Sequence, residues 1–155
     1  MQTLLVVIAT WLTVQFNLPA IDEFPRVELT SAAKMAELRQ DRLLQISGNA
    51  AEALPHQFGR PTITGETYAV YDDASRSIYL HEDWNPARPG DSSILVHEMV
   101  HHMQNVSGRK FACGGEREKE AYNAQRAWLG LFNRSLEQEF GIDSMTVLVR
   151  TTCSN

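Results

Sequence analysis

Two histidines four residues apart constrain this chain more than any other feature, in the run HEMVH at positions 97–101. The surrounding residues 92–104 have the pattern of one continuous helix. Because an α-helix repeats every 3.6 residues, positions four apart lie on the same face, one turn apart. His97 and His101 can therefore bind a single ion, and Glu98 lies beside them, where it can accept a proton from a water on that ion. The run predicts a site for one zinc ion, Zn²⁺.

A catalytic zinc site uses three protein ligands and keeps one position open for water. The helix predicted to begin near Arg117 carries the carboxylates Glu116, Glu118 and Glu120 close to its start. At 100° per residue, Glu118 lies on the face that bears the large apolar side chains, and the other two lie to the side. Glu118 is therefore the predicted third ligand and Glu120 the second candidate. Acidic residues that stabilise a helix N-terminus would explain the same run without a metal.

These residues resemble the gluzincin metallopeptidases, in which HExxH is followed on a second helix by Glu-x-x-Ala. Here HEMVH is followed by EKEAY at positions 118–122, and the short chain is similar to the compact minigluzincins. The chain also resembles a family of small uncharacterised bacterial proteins that carry Val-His-Glu, a nearby cysteine and Ala-Tyr-x-x-Gln. The resemblance covers Ile94 to Gln125. It implies a short β-sheet, with an edge strand beside the active helix, packed on a few helices.

One position departs from the gluzincin pattern. Gluzincins often have aspartate four residues after the ligand glutamate, where it can orient a zinc-bound histidine, and here that residue is Tyr122. Either the Tyr122 hydroxyl takes this role or another group does. Tyr122, His81 and His102 are also candidate donors to the oxyanion of a tetrahedral intermediate. His81 otherwise has the pattern of an ordinary loop residue.

The resemblance implies a zinc metallopeptidase that hydrolyses peptide bonds, with Glu98 as general base. Its substrate would be a peptide or protein held along an edge strand by main-chain hydrogen bonds. The alternative is a zinc-bearing binding or regulatory domain of the same fold with little or no turnover. The presence of Glu98 favours the enzyme, because binding a metal requires only the ligands.

The rest of the chain predicts a single α+β domain over residues 1–155. A first helix runs from Thr3 to Asn17, and a second begins at Ala32 and is followed by a loop over residues 50–66. Two runs of β-formers, at 67–71 and 77–80, flank turn residues and predict an antiparallel hairpin.

Further predictions follow for the helices around the site and for the C-terminal segment. Asp91 or Ser92 caps the first site helix, Gly108 follows its end, a short helix over Ser135–Phe140 ends at Gly141, and Met145–Val149 forms a strand.

Composition limits the function further. Charged residues make up 21% of the chain, and the net charge is −5 with scattered lysines and arginines, which argues against a nucleic-acid surface and a basic membrane patch. The apolar stretch Leu4–Val14 is too short and too interrupted for stable membrane insertion. Its polar residues recur on one helical stripe, so we favour a core helix over a signal segment.

The two cysteines, Cys113 and Cys153, leave the compartment open. If they form a disulfide, the protein is expected in the periplasm or outside the cell. Two buried free thiols are the alternative.

Overall fold

The computed structural model describes residues 1–38 and 68–153. The predicted loop over 50–66 lies outside the described residues. The chain contains both helices and a small sheet, which confirms the α+β class. They are α1 (Gln2–Phe16), β1 (Arg26–Thr30), α2 (helical residues 32–38), β2 (Ala69–Asp72), β3 (Ser77–His81), α3 (Pro89–Val106), α4 (Gly114–Gly130), α5 (Leu136–Phe140) and α6 (Ser144–Thr151).

The described sheet has three strands in the order β1-β3-β2. The predicted hairpin is confirmed: β2 pairs antiparallel with β3, and Tyr71 lies opposite Ile78. The Asp72 carboxylate accepts hydrogen bonds from the backbone N–H groups of Ala74 and Ser75, both at 3.2 Å, which closes the turn. β1 adds to the other side of β3 in parallel, so the sheet is mixed rather than purely antiparallel.

The core lies between α1, the sheet and α3. Ile8 and Leu12 of α1 are fully buried, as the polar stripe on its other face predicts. α1 ends at Asn17, whose backbone is left-handed at φ 53°. Trp11 meets Trp128 of α4 edge-on, with ring centroids 5.1 Å apart. Among residues 1–38 and 68–153, no helix is both long enough and apolar enough to cross a membrane.

α3 begins earlier than predicted. Its N-cap is Arg88 and Pro89 occupies the first turn, so the prediction of a cap at Asp91 or Ser92 is wrong. Proline is well suited there because its ring presets the helical φ and the N–H that it lacks would have no partner. The Asp91 carboxylate instead accepts a 2.7 Å hydrogen bond from Arg88 Nε. Gly108 follows the end of the helix at φ 65°, as predicted.

The C-terminal segment contains one confirmed prediction and one error. The short helix α5 ends at Gly141, as predicted. Its start is closed by a capping box between Ser135 and Gln138. The strand predicted over Met145–Val149 is wrong, since these residues belong to α6. Asp143 caps this helix by accepting a 2.7 Å bond from the Thr146 N–H. A strand would need a paired neighbour, and this segment packs against α4 instead.

A disulfide joins Cys113, at the start of α4, to Cys153, just after α6. Their Cα atoms lie 5.8 Å apart across a sequence separation of 40. Gly115 allows the two segments to approach closely, because a Cβ at this position would lie 2.9 Å from the Thr152 carbonyl oxygen. The C-terminus is thereby held against the helix that carries Glu118.

Candidate metal centre

The two histidines lie on the buried helix α3, as the spacing predicts. Their ring centroids are 4.9 Å apart. His101 is 2% exposed, and the His97 side chain is 12% exposed. α3 packs against the sheet, α1 and α4. This packing holds the two imidazole rings in place.

α4 brings Glu118 to these rings. Its Oε2 lies 3.1 Å from His97 Nε2, and its Oε1 lies 3.2 Å from His101 Nε2. The three potential ligand atoms all lie within 4.8 Å of one another, and among the described residues they form a group that could hold a metal ion. Zinc ligands at 2.0–2.1 Å in a tetrahedron stand about 3.3 Å from each other. His97 and His101 thus face different oxygens of the Glu118 carboxylate, each at a separation close to that between two ligands of one ion.

Glu120, the second candidate, lies outside the group. Its carboxylate accepts a 2.9 Å hydrogen bond from the Gln104 amide and a 2.8 Å bond from the Arg109 guanidinium. The phase of the helix therefore selects Glu118 over Glu120, as the apolar face predicts.

A hydrogen-bond network defines the tautomer of His97. The Ser93 hydroxyl donates to the Gly90 carbonyl at 2.7 Å, so its oxygen can only accept from Gln125. This places the Gln125 amide nitrogen toward Ser93 and its Oε1 toward His97 Nδ1, at 3.1 Å. His97 must then carry a proton on Nδ1, and Nε2 faces Glu118.

A second network does the same for His101. The Gln104 amide nitrogen donates to two acceptors, the Arg117 carbonyl at 3.2 Å and the Glu120 carboxylate at 2.9 Å. Its Oε1 therefore faces His101 Nδ1, at 3.2 Å, and requires a proton there. Both histidines thus present Nε2 to the Glu118 carboxylate.

This arrangement needs positive charge between the rings and the carboxylate. In a neutral imidazole with its proton on Nδ1, the Nε2 lone pair points at a lone pair of the Glu118 carboxylate. These two lone pairs repel each other. A proton on each Nε2 or one metal ion removes the conflict. Two imidazole nitrogens and one carboxylate oxygen also match the donor set of catalytic zinc. The residues present therefore fit a zinc ion.

The pKa shifts reflect the same juxtaposition. Burial alone would raise the pKa of Glu118, but His101 and His97 together hold it well below its usual range. Burial alone would lower the pKa of His97, but the Glu118 carboxylate beside it raises that pKa above the ordinary value. The carboxylate is thus kept ionised, as a metal ligand must be.

The profile of one family, described as "Domain of unknown function (DUF6647)", matches residues 1–155. The chain belongs to this family. No curated protein matches the chain, and no solved structure does. The description of DUF6647 states no activity, so the chemistry of the site has to be argued from its residues.

The Glu98 side chain of this DUF6647 chain lies in the cavity next to the candidate ligands. The residue is 9% exposed and lines a cavity beside His97. No group among the described residues hydrogen-bonds its side chain, in contrast to Glu118 and Glu120. Its oxygens therefore remain available to a water or a substrate in the cavity.

Tyr122 contacts His97 through its ring and not through its hydroxyl. The two rings meet edge-on with centroids 4.9 Å apart. The phenol oxygen accepts a 2.7 Å hydrogen bond from Arg150 Nη1 of α6. Burial raises the pKa of Tyr122 despite the nearby Arg150, so the phenol stays protonated. The role of orienting His97, considered for Tyr122, belongs to Gln125.

Of the other two oxyanion candidates, His102 is excluded by its partners. It is fully buried, its Nε2 donates to the Glu23 carbonyl at 2.7 Å, and its Nδ1 accepts from the Tyr71 hydroxyl at 3.2 Å. Burial lowers the pKa of His102, so this ring is neutral.

His81 is not the ordinary loop residue that was predicted. It is the last residue of β3, only 8% exposed, and its Nδ1 accepts from the Asp83 N–H at 3.2 Å. Its ring lies 6.0 Å from that of Tyr68, centroid to centroid. It supports the wall of the cavity rather than the metal-binding group.

The sequence interpretation missed the roles of Gln104 and Gln125. A signal for both exists in the helix periodicity: Gln104 lies three residues after His101, and Gln125 lies seven residues after Glu118 on the same face. A buried glutamine on such a stripe can turn its amide oxygen to a ligand imidazole.

Proposed function

We propose that this protein is a zinc-dependent metallopeptidase of the gluzincin type. His97, His101 and Glu118 hold one zinc ion, and Glu98 is the general base. The observation that carries the proposal is the convergence of two Nε2 atoms on one carboxylate, with each Nδ1 proton committed to a glutamine oxygen. Such an arrangement is matched to a cation and uses the coordination pattern of zinc hydrolases.

A zinc ion bound here would supply Lewis acidity, which lowers the pKa of a coordinated water to about 7 and polarises a carbonyl group. Glu98 would accept a proton from the water while the water oxygen bonds to the carbonyl carbon. The same carboxyl group passes that proton to the amine nitrogen as the C–N bond breaks. Within residues 1–38 and 68–153 no hydrogen bond holds this carboxylate, which suits the double transfer.

Tyr122 is the best placed donor to the oxyanion. Arg150 occupies one lone pair of the phenol oxygen and cannot accept a hydrogen bond in return. No other hydrogen bond of the phenol is found among the described residues, so its own proton is left for a ligand. Tyr122 also lines the cavity that contains Glu98. A donor held in place before the reaction stabilises the developing negative charge.

The substrate is an extended peptide or protein segment. β2 is an edge of the described sheet, since β3 pairs with it on one side only. Tyr68 and Ala69, at its start, line the same cavity as His97 and Glu98. A peptide added along β2 by main-chain hydrogen bonds would therefore pass the proposed zinc and base.

The test compares zinc content and peptide cleavage in four proteins. Glu98→Gln should keep one zinc per chain and lose about 10²–10⁴-fold in rate, the usual contribution of a general base. Glu118→Ala should lose zinc, and Glu120→Gln should keep it. Wild-type protein that binds zinc but cleaves no peptide would favour the binding or regulatory domain. Full zinc occupancy in Glu118→Ala would refute the ligand set.

We also propose that the protein acts in an oxidising compartment, such as the periplasm or the cell exterior. The Cys113–Cys153 disulfide supports this, because such bonds persist mainly there. Mass spectrometry of alkylated protein from freshly lysed cells, with and without prior reduction, tests it. Two alkylated thiols without reduction would contradict it.

A further inference from the structure

The disulfide and the candidate metal centre are connected through the short helix α6. This helix carries Arg150, whose guanidinium donates the 2.7 Å hydrogen bond to the Tyr122 hydroxyl. Just after α6, Cys153 is bonded to Cys113 at the start of α4. The disulfide therefore joins α4, which carries Glu118 and Tyr122, to the helix that supplies the hydrogen-bond partner of Tyr122.

We propose that this disulfide is a redox switch for the site. Its formation holds Arg150 against Tyr122 and so positions the donor to the oxyanion, whereas the zinc ligands stay together without it. The inference rests on the proposed peptidase function and adds a regulation of the same site. Arg150 is a positioning residue, because it acts through Tyr122.

The attachment of α6 depends on the disulfide because the helix has few other contacts. It is 8 residues long, and isolated helices shorter than about 12–15 residues are marginal in water. Val147 is its one buried residue, and Met145, Leu148 and Val149 are each more than half exposed. The disulfide keeps the end of α6 at a high effective concentration beside α4. Without it, the entropy gained by the freed segment favours detachment.

The disulfide lies at a close contact between the two helices. A Cβ at Gly115 would lie 2.9 Å from the Thr152 carbonyl oxygen and 3.0 Å from the Thr151 carbonyl carbon, so the end of α6 rests on the first turn of α4. Neither Cys113 nor Cys153 is fully buried. A thiol reagent can therefore approach the bond from solvent.

The switching step is a thiol–disulfide exchange with a partner that supplies or takes the electrons. On oxidation, the thiols of Cys113 and Cys153 lose two electrons and two protons, and their sulfurs become bonded. A partner disulfide accepts these electrons and protons and becomes two thiols. On reduction a dithiol partner gives two electrons and two protons back, and its own sulfurs become bonded.

The ligand Glu118 is held by contacts that do not involve α6. Its neighbour Arg117 donates hydrogen bonds of 2.6 and 2.9 Å to the Asp73 carboxylate in the β2–β3 turn. Glu120, two residues further on, accepts a 2.8 Å bond from Arg109. These contacts fix the start of α4 to the hairpin and to the segment after α3. Breaking the disulfide should therefore leave the zinc ligands in place.

Tyr122 depends on α6 in a way that Glu118 does not. When Arg150 departs, the phenol oxygen loses its fixed donor, and the hydroxyl proton can turn toward water instead of the cavity. A donor that is not oriented before the reaction stabilises an oxyanion less. Removing such a donor outright costs about 10²–10³-fold in kcat, so losing only its orientation should cost about 10- to 100-fold.

The first experiment compares hydrogen–deuterium exchange in the zinc-loaded wild type and in the serine variant, which combines Cys113→Ser and Cys153→Ser. The amides of α6 should exchange about tenfold faster or more in the serine variant, with α3 unchanged and one zinc per chain retained. Wild type that is reduced by a dithiol, reoxidised and reloaded with zinc should regain slow exchange. Equal exchange of α6 in both proteins, or loss of zinc from the serine variant, would overturn the inference.

The second experiment measures kcat and KM for peptide cleavage. The serine variant and Arg150→Ala, which keeps the disulfide, should each lose about 10- to 100-fold in kcat with little change in KM. Combining them should add less than about threefold, because both remove the same contact. Arg150→Lys can still donate to the phenol oxygen and should recover most of the loss. Arg126→Ala is the matched control, since Arg126 is exposed on α4.

Additive losses in the combined variant, or an unchanged kcat in Arg150→Ala, would contradict the coupling while leaving the peptidase in place.

A third measurement does not depend on turnover. Calorimetry on the zinc-loaded proteins would measure binding of a phosphinic peptide, whose P–O⁻ group stands in for the oxyanion. The serine variant and Arg150→Ala should bind it about 10- to 100-fold more weakly than wild type and Arg126→Ala do. This result without cleavage of any peptide would reject the peptidase and keep the switch. Equal affinities, or no binding to any of the four proteins, would reject the switch.

Discussion

The two glutamines behind the histidines allow a sharp test of the metal site. Gln125→Met and Gln104→Met each replace an amide by a side chain of similar volume that cannot accept a comparable hydrogen bond. The Nδ1–H groups of His97 and His101 would then lose their acceptors, which lie at 3.1 and 3.2 Å. We expect each substitution to weaken zinc binding by about 10- to 100-fold.

The size of the effect on zinc binding depends on whether the metal-free or the metal-bound form suffers from the lost hydrogen bond. Without metal, a histidine freed from its glutamine needs a proton only on Nε2, which it donates to Glu118, and can release the one on Nδ1, so the missing amide costs little. With metal, Nε2 is a ligand and the proton must stay on Nδ1. A buried donor without a partner costs about 1–3 kcal/mol, which is about 5- to 150-fold in the dissociation constant. The metal-bound form alone bears this cost.

The assay is a competition titration against a chromophoric zinc chelator at fixed pH. Circular dichroism verifies that each variant is folded. Gln15→Met is the matched control, because Gln15 is exposed on α1, far along the chain from the site. Dissociation constants for Gln125→Met and Gln104→Met equal to that of Gln15→Met would refute the assignment of both tautomers.

Four further predictions concern α4 and the proposed metal site. Replacing Cys113 and Cys153 by serine should lower the free energy of unfolding in urea by about 4 kcal/mol, given the sequence separation of 40. Gly115→Ala should lower the melting temperature, because its Cβ would lie 2.9 Å from the Thr152 oxygen. Gly130→Ala, with nothing within 4 Å, should instead stabilise by about 0.5–1 kcal/mol. Zinc at about one hundred times its dissociation constant should stabilise wild type by about 2.7 kcal/mol in the same melts.

The direction of each candidate ligand side chain could be predicted from sequence because it depends on helix periodicity alone. Residues 97 and 101 share a face by their spacing, and Glu118 shares a face with the apolar residues that pack inward. Neither inference needs knowledge of which helices meet. The hairpin β2–β3 was accessible for the same reason, since both strands and their turn are close in the chain.

What the sequence interpretation missed depends on contacts between distant segments. Met145–Val149 is rich in β-branched residues, yet it forms a helix because Asp143 caps it and the disulfide holds it on α4. The role of Gln104 becomes clear only when Arg117 and Glu120 occupy its amide nitrogen. Helix periodicity gives the direction of a side chain but not the hydrogen-bond partners that it meets there.

One stripe of α4 surrounds His97, and under the proposed gluzincin assignment it accounts for the tyrosine at position 122. Glu118, Tyr122 and Gln125, at spacings of four and three, each contact the ring of His97. They do so through a carboxylate oxygen at Nε2, a ring edge and an amide oxygen at Nδ1. Compared with the pattern of the proposed family, the polar partner of His97 lies about one turn later, at position 125 instead of 122. Tyr122 is released from orienting His97, and its hydroxyl instead faces Arg150. Under the proposed assignment, the orienting role therefore lies further along the same helix face, at Gln125.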